Sequence, residues 1–159
     1  MNELEKTEHK LSMRSKIQDL EQGLLAAADD ETIVAGDNNG LGNKLAPLKH
    51  SFADGVYVRQ MSMPQGTAVV GKIHKRDHIW FLLEGEISVA TEDVVEDYIA
   101  PCYVTSSGGT KRVILALEDS IFVNIHPNPT NTENLVDLEK YNVVTSYEEY
   151  EEYINNKKQ

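Results

Sequence analysis

Between Gly55 and Pro127 the chain breaks into short runs rich in valine, isoleucine and aromatic residues, each bounded by glycine, proline, aspartate or serine. They are GVYVRQMSM (55–63), GTAVVGKIH (66–74), HIWFLLEGEISVAT (78–91), VEDYIAP (95–101), TKRVILALE (110–118) and SIFVNIHP (120–127). β-Branched and aromatic residues in runs of this length favour strands, and turn formers at the boundaries stop the runs from merging. No helical period separates one run from the next. Closely spaced strands without crossover helices predict an all-β fold with antiparallel pairing, a sandwich or small barrel. PQG (64–66) and EG (84–85) predict hairpin turns, and SSGG (106–109) a wider one.

The flanks read differently. Leu4, Leu11, Ile17, Leu20, Leu24 and Leu25 recur at near-helical spacing and predict a helix over residues 3–27. Its apolar stripe is thin, which suggests docking on a partner or sister subunit, or a loosely held helix, rather than a core of its own. The Asp, Asn and Gly content of residues 29–47 predicts a linker or long loop. After Pro129, TENLVDLEKYN predicts a short helix opened by Thr132, and Ser146 with Glu149 forms a capping box for YEEYEEYINNK. Tyr147, Tyr150 and Tyr153 then pack that helix on the barrel exterior or on a neighbour. Three units result: a helix and linker (1–44), a β-barrel (45–130) and a helical extension (131–159).

Composition narrows the partners. A net charge of -11 repels phosphate backbones, and no segregated basic patch offsets it, so nucleic acid is not an expected partner. The longest apolar run, Ile79 to Leu83, is far short of the roughly 18 residues of a membrane span, so no membrane partner is expected. The N-terminal residues contain no signal-type apolar segment, which points to the cytoplasm or a particle assembled there. Cys102 is the sole cysteine, which excludes an internal disulfide and a cysteine-based zinc knuckle. IWFLL (79–83) is apolar on both faces, so its outer face needs a cover, and a homo-oligomer is expected.

Strand alternation defines the candidate site. Ala68, Val70, Lys72 and His74 share one face, as do His78 and Trp80, then Arg112, Ile114 and Ala116, then Phe122, Asn124 and His126. Each face is mostly apolar and carries a polar residue at one end, as a barrel with an open mouth would. Two chemistries suit such a mouth. His74, His78 and His126 could ligate a divalent transition metal, with a water or substrate at the open positions and Glu84 in reach for acid–base work. Alternatively, Lys72, His74, His78 and Arg112 form a cationic ligand-binding pocket for a carboxylate or phosphate. Lys72 and Arg112 oppose a metal dication and favour the anion. A third reading is inert, since histidines at strand ends commonly bond only backbone or water.

These residues resemble the cupin superfamily. GKIHKRDHIWFLLEGEI is similar to the first cupin motif at Gly71, His74 and Gly85, and PCYVTSSGGTKRVILAL to the second. In that alignment Lys72 and Arg112 stand where the family has metal-ligating histidines, and His78 where it has a glutamate. More narrowly, residues 55–153 resemble small phage-encoded cupin proteins. The resemblance implies a cupin-type double-layered jelly roll with terminal helices and a place in an infected bacterial cytoplasm or in the virion. It leaves three functions open: binding a small anion without turnover, metal-dependent catalysis by the histidine cluster, or virion structure and assembly. No cofactor is certain on this reading, a divalent transition metal being the candidate.

Overall fold

The computed structural model describes residues 1–27 and 46–158, so the loop expected over 29–47 lies outside the described residues apart from its last two positions. Chain order begins with α1 (Glu3–Ala27), β1 (Leu48–Ala53), β2 (Gly55–Met63), β3 (Ala68–Val70), β4 (Ile73–His74), β5 (His78–Glu84) and β6 (Glu86–Ala90). It continues with β7 (Val95–Ile99), β8 (Cys102–Ser106), β9 (Val113–Ala116), β10 (Ser120–Asn128), α2 (Leu135–Asn142), β11 (Val143–Val144) and α3 (Tyr147–Lys157). Every pairing is antiparallel: a five-stranded sheet β1-β2-β10-β5-β8 faces a four-stranded sheet β3-β9-β6-β7, and β11 pairs with β4. This is the antiparallel all-β fold that the strand pattern implied, in the form of the double-layered jelly roll that the family resemblance implied, with terminal helices.

The inward faces fill the space between the sheets with Met63, Val69, Trp80, Leu82, Ile87, Val89, Ile114, Ala116 and Phe122. Trp80 meets Tyr98 edge-on at 5.0 Å and tilts against Phe122 at 5.1 Å, a geometry that suits the ring quadrupoles. The turns at PQG and EG are not hairpins. Each carries the chain from one sheet to the other, β2 to β3 and β5 to β6, as a jelly roll requires. Gly85 makes the second crossing at φ +83°, and a Cβ there would lie 2.3 Å from the Asp119 carbonyl oxygen.

Two strands escaped the sequence pattern. β1 and β8 are edge strands with one face exposed and the other only half-buried, so their apolar content is diluted. The capping differs in detail too. Asn134, not Thr132, caps α2 by accepting from the Val136 and Asp137 amides. Ser146 caps α3 as expected, but the Glu149 carboxylate reaches back one residue further, to the Thr145 amide and hydroxyl.

The helix α1 docks on its own barrel, contrary to the expectation of a partner. Its stripe is too thin to hold it, and charge does much of the work: Ile17 is buried, Arg14 lies 3.4 Å from the buried Glu92, and Lys10 lies 3.7 Å from the same carboxylate. The buried Lys111 ammonium pairs with Glu21, and the Arg14 guanidinium covers the Tyr147 ring at 4.2 Å. The α3 tyrosines face the barrel: Tyr147 is buried and donates to Glu92, and the Tyr150 ring lies against Gly109.

A Gly85→Ala variant therefore meets both a left-handed backbone and an occupied Cβ position. We expect a loss of more than about 2 kcal/mol, seen as a drop in Tm of several degrees, whereas Gly23→Ala, with open space around it, is neutral or stabilising.

Candidate functional site

Along each inward face the core residues give way to polar ones at the same end of the barrel. β5 presents Trp80 and Leu82 to the core and His78 beyond them; β10 presents Phe122, then Asn124 and His126. Arg112 precedes β9 by one residue and shares the face of Ile114 and Ala116, all three buried. His74 arrives on β4. The alternation read from the sequence holds for His78, Arg112 and His126, and with His74 they form one buried cluster.

Lys72 does not join them. The strand is interrupted at Gly71 and Lys72, the alternation resets, and Ile73 and His74 are buried side by side. Lys72 turns instead to Glu139 on α2, with Nζ 3.1 Å from the carboxylate. Glu84 is exposed at the end of β5, so it takes no part in the site.

The centre of the cluster is Arg112. One terminal guanidinium nitrogen, Nη2, lies 2.9 Å from His78 Nε2 and 3.4 Å from His74 Nδ1. A guanidinium can only donate, so both imidazole nitrogens must present lone pairs. His74 then carries its proton on Nε2, which lies 3.1 Å from His126 Nε2 and donates to it. His126 in turn carries its proton on Nδ1, which is buried without a partner among the described residues. His78 holds its proton on Nδ1, close to the Arg76 carbonyl but short of a full hydrogen bond. One donor-only group thereby fixes three tautomers.

All three imidazoles are neutral. Burial lowers His74 well below its usual value, reinforced by the repulsion a proton there would meet from a protonated His78 and from the Arg112 guanidinium. Burial does the same for His126, followed by Arg59. His78 is pushed down to about 3 by burial and then by Arg112, and the Arg76 carbonyl only partly offsets them. Arg112 itself is lowered to about 10, first by burial and then by Arg59, and remains charged at neutral pH.

A metal does not fit these residues. The His74 and His78 rings stack with centroids 3.6 Å apart and planes within 15°, whereas a metal held at about 2.0–2.1 Å lies in the plane of each ligating ring. It cannot lie in two stacked planes at once. The lone pairs that would serve it are also taken, His74 Nδ1 and His78 Nε2 by Arg112 and His126 Nε2 by His74. Among the described residues no group of three His, Cys, Asp or Glu side chains is arranged to hold a metal ion. The set His74, His78 and His126 converges, then, but around a guanidinium.

The sequence reading missed the strand alongside. Tyr57 and Arg59 on β2 face Asn124 and His126 across the ladder, with Tyr57 opposite His126 and Arg59 opposite Asn124. Tyr57 stacks on His126 at 5.3 Å, and its hydroxyl lies 2.8 Å from His50 Nδ1. Arg59 makes no hydrogen bond or ion pair with any described side chain. The signal was available: a single charge two residues from a tyrosine inside an otherwise uncharged strand.

The mouth is not open. α2 and β11 cross it: β11 pairs with His74 and Ile73, Leu138 is buried, and the Asn142 amide donates to the Pro127 and Leu138 carbonyls. Beneath this strap remains a cleft lined by Tyr57, Arg59 and His126 on one side and by Leu135, Leu138 and Val143 on the other, with Glu139 and Asn142. Its free space, about 10 Å³, admits one water-sized group.

No protein-family model matches the chain, and no curated protein matches it in sequence. Solved structures similar to it include KdgF from Halomonas sp., at 15% identity over 52% of this chain and 80% of that one, with TM-score 0.46. A cupin superfamily protein from Desulfitobacterium hafniense matches at 16% identity over 49% of this chain and 74% of that one, with TM-score 0.43. A point variant of oxalate decarboxylase from B. subtilis matches at 15% identity over 58% of this chain and 28% of that one, with TM-score 0.48. The likeness concerns strand layout and assigns no chemistry to the site.

Neutral buried histidines make stability pH-dependent. Each has an unfolded value near about 6.5 and a lower folded one, so its contribution is complete above about pH 6.5 and is lost as the pH falls toward the folded value. The slope is up to about 1.4 kcal/mol per pH unit for each histidine. We expect Tm to be flat from pH 7 to 8.5 and to fall between pH 6.5 and 5, measured by thermal unfolding. Acidification also relieves the repulsion behind a net charge of -11, which acts in the opposite direction. A Tm–pH profile between pH 6.5 and 5 that is the same in wild type and in His126→Gln, which shares the surface charge but lacks one titrating ring, would refute the neutral assignment of that imidazole.

Proposed function

We propose that this protein binds a small anion inside the jelly roll, without turning it over, and that Arg112 is the charge that selects it. One observation carries this reading. Arg112 is 5% exposed, no described carboxylate pairs with it, and its second terminal nitrogen, Nη1, has no partner among the described residues. A buried charge without a counterion costs several kcal/mol unless something compensates it. Imidazole lone pairs satisfy one nitrogen but supply no negative charge. An anion supplies it. His74 and His78 hold the guanidinium in place, and Arg59 adds a second cation nearby. The arrangement favours binding over catalysis because no nucleophile among the described residues stands beside a positioned base, and the imidazole lone pairs are engaged.

The resemblance to phage-encoded cupins supports a place in an infected bacterial cytoplasm or in the virion. The homo-oligomer is supported by the outer face of the five-stranded sheet, where Ile79, Leu83 and Tyr103 are 40%, 49% and 68% exposed. Apolar rows of this kind on a sheet face suit a second copy. No described helix is long and apolar enough to cross a membrane.

Calorimetric titration of inorganic phosphate and of acetate into the protein in chloride-free buffer tests the anion reading. We expect saturable binding of at least one anion and its loss in Arg112→Met. That variant removes the uncompensated charge but leaves the His74 Nδ1 and His78 Nε2 lone pairs without a donor, so thermal unfolding is followed alongside the titration to establish that it folds. Equal binding by Arg112→Met would overturn the proposal. For the assembly, light scattering should show wild type larger than Leu83→Glu, which leaves the barrel interior untouched; identical masses would remove the support for a sheet-face oligomer.

A further inference from the structure

The cleft beneath α2 has two chemically different walls. On the β2 and β10 side lie Arg59, which makes no ion pair among the described residues, and His126, whose Nδ1 proton is buried and unpaired among them. On the strap side lie Leu135, Leu138 and Val143. One more group shares the space. Glu139, a carboxylate on a two-carbon aliphatic stem, lines the same cleft, is 15% exposed at its side chain, and has a buried Oε1 that makes no hydrogen bond of good geometry. Its charge reaches into the cleft far enough to disfavour ionisation of Tyr57. The tether is Lys72, whose ammonium lies 3.1 Å away on the rim.

A carboxylate taken out of water wants hydrogen-bond donors, and Glu139 has them on neither count: its tether to Lys72 is an ion pair without hydrogen-bond geometry, and the inner donors of Arg59 and His126 are left unused. The inner wall is therefore set up for a carboxylate that reaches deeper than Glu139 does. We propose that this cleft is the binding site for the carboxylate of a short aliphatic acid, about the size of propionate or butyrate, and that Glu139 stands in for that ligand and must leave before it enters. This rests on the anion-binding reading and adds a ligand class and a gate at a cleft that Arg112 does not line: there Arg59 supplies the charge, and Arg112 acts only through His74 and His126. The carboxylate takes the donors of Arg59 and His126, and the short tail lies against Leu135, Leu138 and Val143. With Glu139 in place there is room for only one water-sized group, so protein and ligand compete for the same space. Shortening the competitor opens it.

The test is titration of propionate, followed by calorimetry and thermal shift, into wild type, Glu139→Ala, Glu139→Gln and Arg59→Gln, with inorganic phosphate as the comparison anion. We expect Glu139→Ala to bind propionate at least about tenfold more tightly than wild type and to regain with propionate the Tm it loses on substitution. Glu139→Gln, which keeps the shape and removes the charge, should gain a smaller factor, and Arg59→Gln should lose binding. Should the alanine variant fold poorly, the glutamine variant and Arg59→Gln decide the matter between them. If anions bind through Arg112 but propionate affinity is the same in the Glu139 variants and in Arg59→Gln as in wild type, the cleft assignment is overturned and the anion reading stands. If neither anion binds wild type or any variant, both fall together.

Discussion

Arg112 cannot be buried between two β-sheets without conditions, and those conditions organise the site. Its guanidinium needs acceptors, and the nearest are ring nitrogens, His78 Nε2 and His74 Nδ1. Donation to both fixes their tautomers, and the tautomer of His74 fixes that of His126. The three rings are then neutral, stacked and internally bonded, and their lone pairs are no longer free for a metal. In a site that resembles the cupin motifs, an arginine in a histidine position does more than remove one ligand. It converts the remaining imidazoles from ligands into acceptors for a cation that cannot leave.

The jelly roll makes this possible because its strands serve two purposes along one face. Trp80, Phe122 and Ile114 close the core, and a step of two residues along the same strands places His78, Asn124 and Arg112 at the site. The site is therefore held by the most tightly packed part of the molecule. A buried polar cluster tolerates little geometric slack, since each misplaced donor exposes its neighbour to the full desolvation cost. Rigidity comes from the core. The chain that closes the mouth, by contrast, is held by two β11–β4 residue pairs, the Lys72–Glu139 ion pair and polar contacts: the Lys75 amide donates to the Asn142 carbonyl, Arg76 to the Tyr141 carbonyl and the Asn142 amide to the Pro127 carbonyl. The two ends of the barrel are thus held differently, one by apolar packing and the other by polar contacts of the strap.

Much of this was legible in strand alternation. The pairing of His78 with Trp80, of Arg112 with Ile114 and Ala116, and of His126 with Phe122 followed from a period of two applied within uninterrupted strands. It failed at Lys72, because a break at Gly71 resets the face and no residue type announces such a break. It failed again for β1 and β8, whose edge positions relax the demand for apolar residues. The strap over the mouth was not legible at all. Sequence identified a helix near residues 132–142 but could not say that it lies across the histidines, because that depends on Leu138 finding a pocket assembled from distant strands. Arg59 and Tyr57 were overlooked for a related reason: their significance lies in the register with β10, a long-range fact.

A last consequence concerns which anions such a protein can take up. The chain carries a net charge of -11, so on the proposed anion-binding reading the exterior repels anions while the interior attracts them. At physiological ionic strength the exterior field decays within about 8 Å, whereas the buried guanidinium is screened far less. Selectivity then arises from two opposed terms of different range. The outer repulsion grows with each added ligand charge, and the inner attraction is limited to one desolvated cation with Arg59 beside it. A multiply charged anion experiences more of the first without a proportional gain in the second, and it carries a larger desolvation cost into a narrow cleft. A monoanion with a small apolar tail escapes both penalties and also gains contact with the leucine side of the cleft. Thus, under the proposed function, the acidity of the surface, which at first sight argues against anion binding, would sharpen a preference toward weakly charged, partly apolar ligands.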